Sequence, residues 1–248
     1  MCRGVTEEEQ LRRQSQWLRD SWLWLLDHKL GPEPWRGSRL PTALDVGCGP
    51  GLVMELLASR FDVKGVDLDL DMVRRGRERG MEVVQGNAYE LPFPSACFDI
   101  AYCSFFLLWA EEPERVVREM SRVARSWVIC LAEPDYEGRI DHPPELRALK
   151  ELAIEGLRDE GADPFMGRKL RSVFGHCGLE AEVGVFPGVW DRERLHSEGY
   201  LEVLALENAR GASMEGTERT RLQEAWERGY RDGTLFQFNP IFYAMAQK

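Results

Sequence analysis

From Pro41 onward the chain alternates short apolar runs with stretches of helical period. TALDV, FDVKGVD, MEVVQG, CFDIAYCSF and SWVICLAE read as strands, and helix-like stretches follow the first, second and fourth of them. Such alternation predicts an α/β fold with a parallel, doubly wound sheet. One helix should start near Pro113, with the proline in its first position and Val116, Met120 and Val123 on its buried face. Ahead of this core, TEEEQLRRQSQWLRDSWLWLLDHKL opens on a capping-box pair, Thr6 and Glu9. It repeats Leu11, Leu18, Trp22 and Leu25 along one face, which predicts an amphipathic helix. Its tryptophans serve either as packing area or as the lining of a substrate mouth. Gly31-Pro32-Glu33-Pro34 ends it as a linker.

The pattern changes after Glu133. PDYEGRIDHPPE is a polar, proline-bearing loop, followed by helical stretches near Glu145 to Asp159 and Gly167 to Cys177 and by a strand-like LEAEVGVF. Residues Asp191 to Gly233 have helical periodicity, and TLFQFNPIFYAMAQK reads as a final strand. An excursion of that length lies over a binding face, so it and the N-terminal helix are expected to close together as a lid.

Composition narrows the function. A chain of 248 residues builds its own core without disulfides or a structural metal. A formal net charge of -10 argues against a broad phosphate-binding surface, so nucleic acid is not an expected partner. The cysteines, at positions 2, 48, 97, 103, 130 and 177, form no C-x-x-C pair and suggest neither a disulfide framework nor a zinc site. A reduced, cytoplasmic setting is expected, with no targeting segment, no membrane span and no metal.

The chemistry concentrates in ALDVGCGPGL, Ala43 to Leu52. A strand ending at Val46 and a helix starting near Pro50 need a tight turn, and glycines permit positive φ and close approach of backbone to ligand. Gly47, Gly49 and Gly51 give G-x-G-x-G, with Leu52 where a dinucleotide fingerprint places its last glycine, so the spacing leans away from NAD. Asp45 adds negative charge beside the turn, which suits a cation better than a pyrophosphate. S-adenosyl-L-methionine is a cation at its sulfonium. Asp67, at the tip of the second strand, is placed to accept from both ribose hydroxyls of an adenosine. The acidic run DLDLD with Glu78 also matches the acidic positions of a calcium loop, but Met72 stands where that loop requires glycine.

ALDVGCGPG, GVDLD and GNAYELPFPSACFDIAYCSF, in that order, resemble the class I S-adenosylmethionine-dependent methyltransferases, and in particular the branch of ubiquinone and menaquinone biosynthesis methyltransferases. The resemblance covers about Pro41 to Glu133. It implies a seven-stranded, mostly parallel, Rossmann-like sheet of order 3-2-1-4-5-7-6 with the last strand antiparallel. It also implies an N-terminal helix, a helical insertion before the last strand, and S-adenosyl-L-methionine as cofactor with S-adenosyl-L-homocysteine as product. Gly47, Gly49 and Gly51 would approach the methionine part with Asp45 in support. Asp67, with Leu68 beside it, would bind the ribose, Asn87 and Ala88 would meet the adenine, and Ser104 and Phe105 would face the methionine end and the acceptor. Where the family often has Asp, this chain has Asn87, whose amide can still accept from the adenine amino group. The expected organisation is one domain: a helical cover over 1–40, a cofactor-binding core over 41–133, and a substrate-side half over 134–248 with its lid insertion at 191–233.

Methyl transfer from a sulfonium is an in-line displacement with an activated leaving group, so the protein mainly aligns the reactants and excludes water. No nucleophile of its own is required, and His28, His176 and His196 read as ordinary surface or packing residues. The expected acceptor is a small or medium-sized organic molecule, with the chain a monomer or homodimer. A protein or RNA methyltransferase, a dinucleotide oxidoreductase and a non-catalytic nucleotide-binding module are the alternatives. If the acceptor must lose a proton, His142 is the first candidate base and Tyr136 the second, as an acceptor-positioning hydroxyl. The competing reading of their loop is structural, with Arg139 paired to Asp141 or Asp135.

Overall fold

A computed structural model describes residues 7–30, 39–186, 188–190, 195 and 216–248. In chain order the elements are α1 (Glu7–Lys29), β1 (Thr42–Val46), α2 (Leu52–Leu57), β2 (Asp62–Asp67), α3 (Leu70–Glu78), β3 (Glu82–Gln85), β4 (Phe98–Cys103), α4 (Pro113–Val123) and β5 (Ala124–Pro134). There follow β6 (Ile140–His142), α5 (Ala148–Asp159), α6 (Met166–His176), β7 (Ala181–Phe186), α7 (Gly216–Arg231), β8 (Phe236–Phe238) and β9 (Ile241–Gln247). The main sheet has the order β3-β2-β1-β4-β5-β9-β7, and the pairings β1 with β2, β1 with β4, β2 with β3 and β4 with β5 are parallel. This is the strand order that the family resemblance implies. The labels differ only because β6 and β8 form a small antiparallel sheet of their own.

Two expectations are corrected here. The polar loop after Glu133 contains the strand β6, and the final strand is two strands, broken at Asn239-Pro240. Proline has no N–H to give a ladder, so the chain leaves one sheet at this point and joins another. Thr6, the linker at 31–34 and residues 191–194 and 196–215 of the excursion lie outside the described residues.

The chain divides into two compact units. The first holds residues 7–133, 169–184 and 242–248. In it α4 starts with Pro113 at its first turn and buries Val116, Val117, Met120 and Val123 completely, a stripe that contributes about 1.5–3 kcal/mol per large side chain. Helix α1 belongs to this core, since Leu18, Trp22 and Leu25 are buried and Trp22 Nε1 donates to the Leu131 carbonyl at 3.2 Å. Asp27 of α1 also takes two hydrogen bonds from Arg60, at 2.9 and 2.7 Å.

The second unit holds the described residues of 134–168 and 185–241. Its small sheet pairs Ile140 with Phe238, Asp141 with Gln237 and His142 with Phe236, and Val189 bridges to Phe238 from the other side. Among the described residues, no helix is long and apolar enough to cross a membrane.

Candidate functional site

The first unit gathers most of the predicted site at the carboxyl ends of β1, β2 and β4. Gly47, Gly49 and Gly51 all have positive φ, at 71°, 52° and 80°. The N–H groups of Gly47 and Cys48 both donate to the Val66 carbonyl, at 2.9 and 3.1 Å, which ties the turn to β2. The glycines differ in what they face. A Cβ on Gly47 would lie 2.1 Å from the Phe106 ring, whereas one on Gly49 would meet nothing within 4 Å. Gly47 is therefore demanded by packing inside the protein, and Gly49 exposes bare backbone to open space.

Asp67 is held beside this turn. Gly49 N–H donates to its Oδ2 at 2.8 Å and Asp69 N–H to its Oδ1 at 2.9 Å. An ionised carboxylate accepts at about four positions, so these bonds fix its orientation and leave capacity for hydroxyl groups. The rest of the acidic run is used locally: Asp69 caps α3 by accepting from Asp71 N–H at 2.7 Å, and Asp71 pairs with Arg75 at 2.7 Å. Leu68 is about two-thirds exposed, at 66%. Gly86 N–H donates to the Asp67 carbonyl at 2.9 Å, which brings Asn87 and Ala88 alongside. Asn87 Oδ1 accepts from Tyr89 N–H at 2.9 Å, so this side chain has a local turn-forming role whatever else it contacts.

A cavity of about 90 Å³ lies against the turn. Asp45, Gly47, Cys48, Gly49, Ser104 and Phe105 line it from the sheet side, and Leu11, Gln14, Ser15 and Trp22 from α1. Of the helix's tryptophans, Trp22 is thus both packing and lining, while Trp24 is exposed and stacks on His28.

Asp45 is 2% exposed, and neither its Oδ2 nor the buried Ser104 Oγ has a hydrogen-bond partner within direct bonding geometry. Burial pushes the Asp45 carboxyl up to about 8, with partial opposition from the nearby Tyr102 hydroxyl and reinforcement from the Asp67 carboxylate. A buried carboxyl with an unengaged oxygen, at the edge of a cavity, is a group that a cation would satisfy.

Glu133, at the end of β5, was not singled out from the sequence. It is fully buried and accepts from the N–H groups of Phe106, Leu107 and Leu108 at 2.9, 2.7 and 3.2 Å. The available signal was a lone acidic residue at the carboxyl end of an apolar run, VICLAE. Cys103 and Cys130 face each other across β4 and β5 beside it. The trio is poorly suited to a metal, because burial and the neighbouring Cys103 raise the Cys130 thiol far above its ordinary value and both Glu133 oxygens already accept backbone N–H groups.

His142 and Tyr136 belong to the second unit. His142 is exposed on β6, opposite Phe236. Tyr136 is half-buried, and its N–H donates to the Pro164 carbonyl at 2.9 Å. Around them the charges are internally matched: Arg139 meets Asp141 at 2.9 to 3.1 Å with both side chains buried, and Asp135 takes Arg168 Nη2 at 2.8 Å.

Comparison with known proteins gives one consistent picture. The family model of a methyltransferase domain matches residues 44–131. Over 98 residues the chain is 42% identical to the phosphatidylethanolamine N-methyltransferase of Cereibacter sphaeroides, covering 36% of this chain and 47% of that protein. Over 162 residues it is 34% identical to the demethylmenaquinone methyltransferase of Lysinibacillus sphaericus, covering 56% of this chain and 69% of that one. It therefore spans about half the length of the first relative and about two-thirds of the second. A solved S-adenosylmethionine-dependent methyltransferase from Thermotoga maritima has a TM-score of 0.55 and 15% identity, with 96% of each chain covered, a likeness of fold alone.

Proposed function

The chain belongs to the class I S-adenosylmethionine-dependent methyltransferases, and from that premise we propose that it methylates a small or medium-sized organic acceptor, with the glycine turn and Asp67 holding the donor. The observation that carries the donor assignment is the combination of Gly49, open on its Cβ side, with an oriented Asp67 carboxylate bonded to the same glycine's N–H. S-adenosylmethionine supplies a methyl group already activated on a sulfonium. The chain's own work is to bind and align. Gly47, Gly49 and Gly51 admit the methionine part, the buried Asp45 offers a carboxyl to its positive charge, and Asp67 takes the ribose hydroxyls. Leu68, Asn87 and Ala88 flank the adenine, and Ser104 and Phe105 with Trp22 wall the methionine end against water.

Two relatives carry names that specify a phospholipid and a quinone as acceptors, so apolar organic molecules with one polar reacting atom are the first to screen. For an acceptor that reacts through a hydroxyl or an acidic carbon, we assign the base role to His142 and a positioning role to Tyr136.

The test has two parts. Calorimetry with S-adenosylmethionine should show binding to the unaltered chain, weakened by about 1.5–3 kcal/mol in Asp67→Ala, the loss expected for a charged acceptor. Unchanged affinity in a folded Asp67→Ala would remove the ribose assignment. Mass spectrometry with methyl-labelled donor and a panel of acceptors then identifies the acceptor class, and labelling confined to protein or RNA would overturn the small-molecule reading.

A further inference from the structure

Phe105 is one of two non-glycine residues with positive φ among the described residues, at 51°, and it lines the cavity. That conformation costs a non-glycine residue free energy, so surrounding contacts must hold it. Two sets of contacts do. Phe105 N–H donates to the Ala132 carbonyl at 2.7 Å, and the next three N–H groups converge on the Glu133 carboxylate. Glu133 thereby caps the short 3₁₀ turn Leu107–Trp109 from the neighbouring strand, in the place where a helix's own N-cap would otherwise accept. Phe106, anchored in this way, fills the space that Gly47 leaves by having no side chain.

We infer that Glu133 is a positioning residue for methyl-donor binding, acting through the turn that follows β4. Its carboxylate fixes the backbone of Phe106 to Leu108; the fixed backbone holds Phe105 in its left-handed conformation against the cavity and seats the Phe106 ring against the glycine turn. The two walls of the donor site, one from β1 and one from β4, are thus set by one buried side chain on β5 that lines neither. The inference rests on the donor-site reading given above.

The experiment measures S-adenosylhomocysteine binding by calorimetry alongside thermal unfolding, for the unaltered chain, Glu133→Ala and Glu133→Gln. Binding should weaken about tenfold or more in Glu133→Ala and recover to within about threefold in Glu133→Gln, whose amide oxygen still accepts from Phe106 and Leu107. A lower melting temperature with unchanged affinity in folded protein would mean that Glu133 only stabilises, and would overturn the inference. Should Glu133→Ala not fold, a cycle decides: Phe105→Gly, alone and with Glu133→Gln. Glycine adopts positive φ without strain, so Glu133→Gln should weaken binding less in the Phe105→Gly background. Independent, multiplying effects would overturn the inference. Absence of binding by the unaltered chain would overturn the donor-site reading and this inference with it, whereas intact binding in every variant overturns the inference alone.

Discussion

The glycine turn and the charged loop after β5 make an instructive pair. The turn region carries few charges, yet it leaves polar groups unengaged: Asp45 Oδ2 and Ser104 Oγ are buried without partners, and Gly49 faces open space. The loop carries many charges, and the structure matches them internally, Arg139 to Asp141 and Asp135 to Arg168. A density of ionisable residues is therefore a poor guide to a site. Buried groups with unused hydrogen-bonding capacity are a better one, because that capacity costs free energy until a ligand uses it.

The sharpest way to break this contrast is to titrate Asp45. Its folded-state pKa lies near 8, above the ordinary carboxyl value of 3.8, so between those limits the folded protein keeps a proton that the unfolded chain releases. Ligand-free stability should then fall as pH rises from about 4 to about 8, by on the order of 5 kcal/mol for one proton across that window. Asp45→Asn should lose this component, which denaturant titrations of both proteins across the window would show. A bound cation favours the ionised carboxylate, so donor affinity of the unaltered chain should rise over the same range. Equal slopes for the two proteins would refute the picture of a buried carboxyl kept protonated by its loss of solvent.

On the loop side, Asp141→Ala leaves the Arg139 guanidinium buried without its bidentate partner. We expect a loss of about 3–5 kcal/mol in unfolding free energy, with donor affinity retained in whatever fraction stays folded. A change within 1 kcal/mol, read from denaturant midpoints, would mean that the pair is not the structural clamp its geometry suggests.

His142 tests whether the loop is structural throughout. With an acceptor that must be deprotonated, His142→Ala should lower turnover about a hundredfold and leave donor affinity unchanged, the range for loss of a positioned base. Turnover within threefold and an unaltered pH profile would make the loop wholly architectural. The smallest effect expected on stability is that of Gly49→Ala. There the Cβ has room, so folding should cost only about 1–2 kcal/mol for the left-handed backbone while donor binding falls further. The reverse order, a large stability loss with intact binding, would show that Gly49 serves the fold and not the ligand.

The order of the sheet came only from the family resemblance that the motifs carry, whereas the strands β1 to β5 and helix α4 were legible because each rests on a local signal, an apolar run or Pro113 at a helix start. The glycines and Asp67 were legible for the same reason. Strand β6 was not, since a three-residue strand has too few alternations to declare a period, and β8 and β9 were read as one strand although Asn239-Pro240 marks the break between them. Glu133 was missed for a different reason. Its role depends on three N–H groups that are about 25 residues away in the chain, an encounter that no local pattern encodes. The same holds for Phe106 and Gly47, where one residue's missing side chain is explained only by another's ring.

The place of β9 has a consequence for how the chain is made. It lies between β5 and β7, so the sheet cannot be completed until residues 241–247 have left the ribosome. Strands β1 to β4 pair among themselves within residues 42–103. The half that holds Gly49 and Asp67 can therefore assemble during synthesis, while β5 waits with an open edge, the kind of edge that recruits wrong partners. Removal of residues 241–247 should accordingly appear first as aggregation through β5 and only afterwards as loss of the donor site.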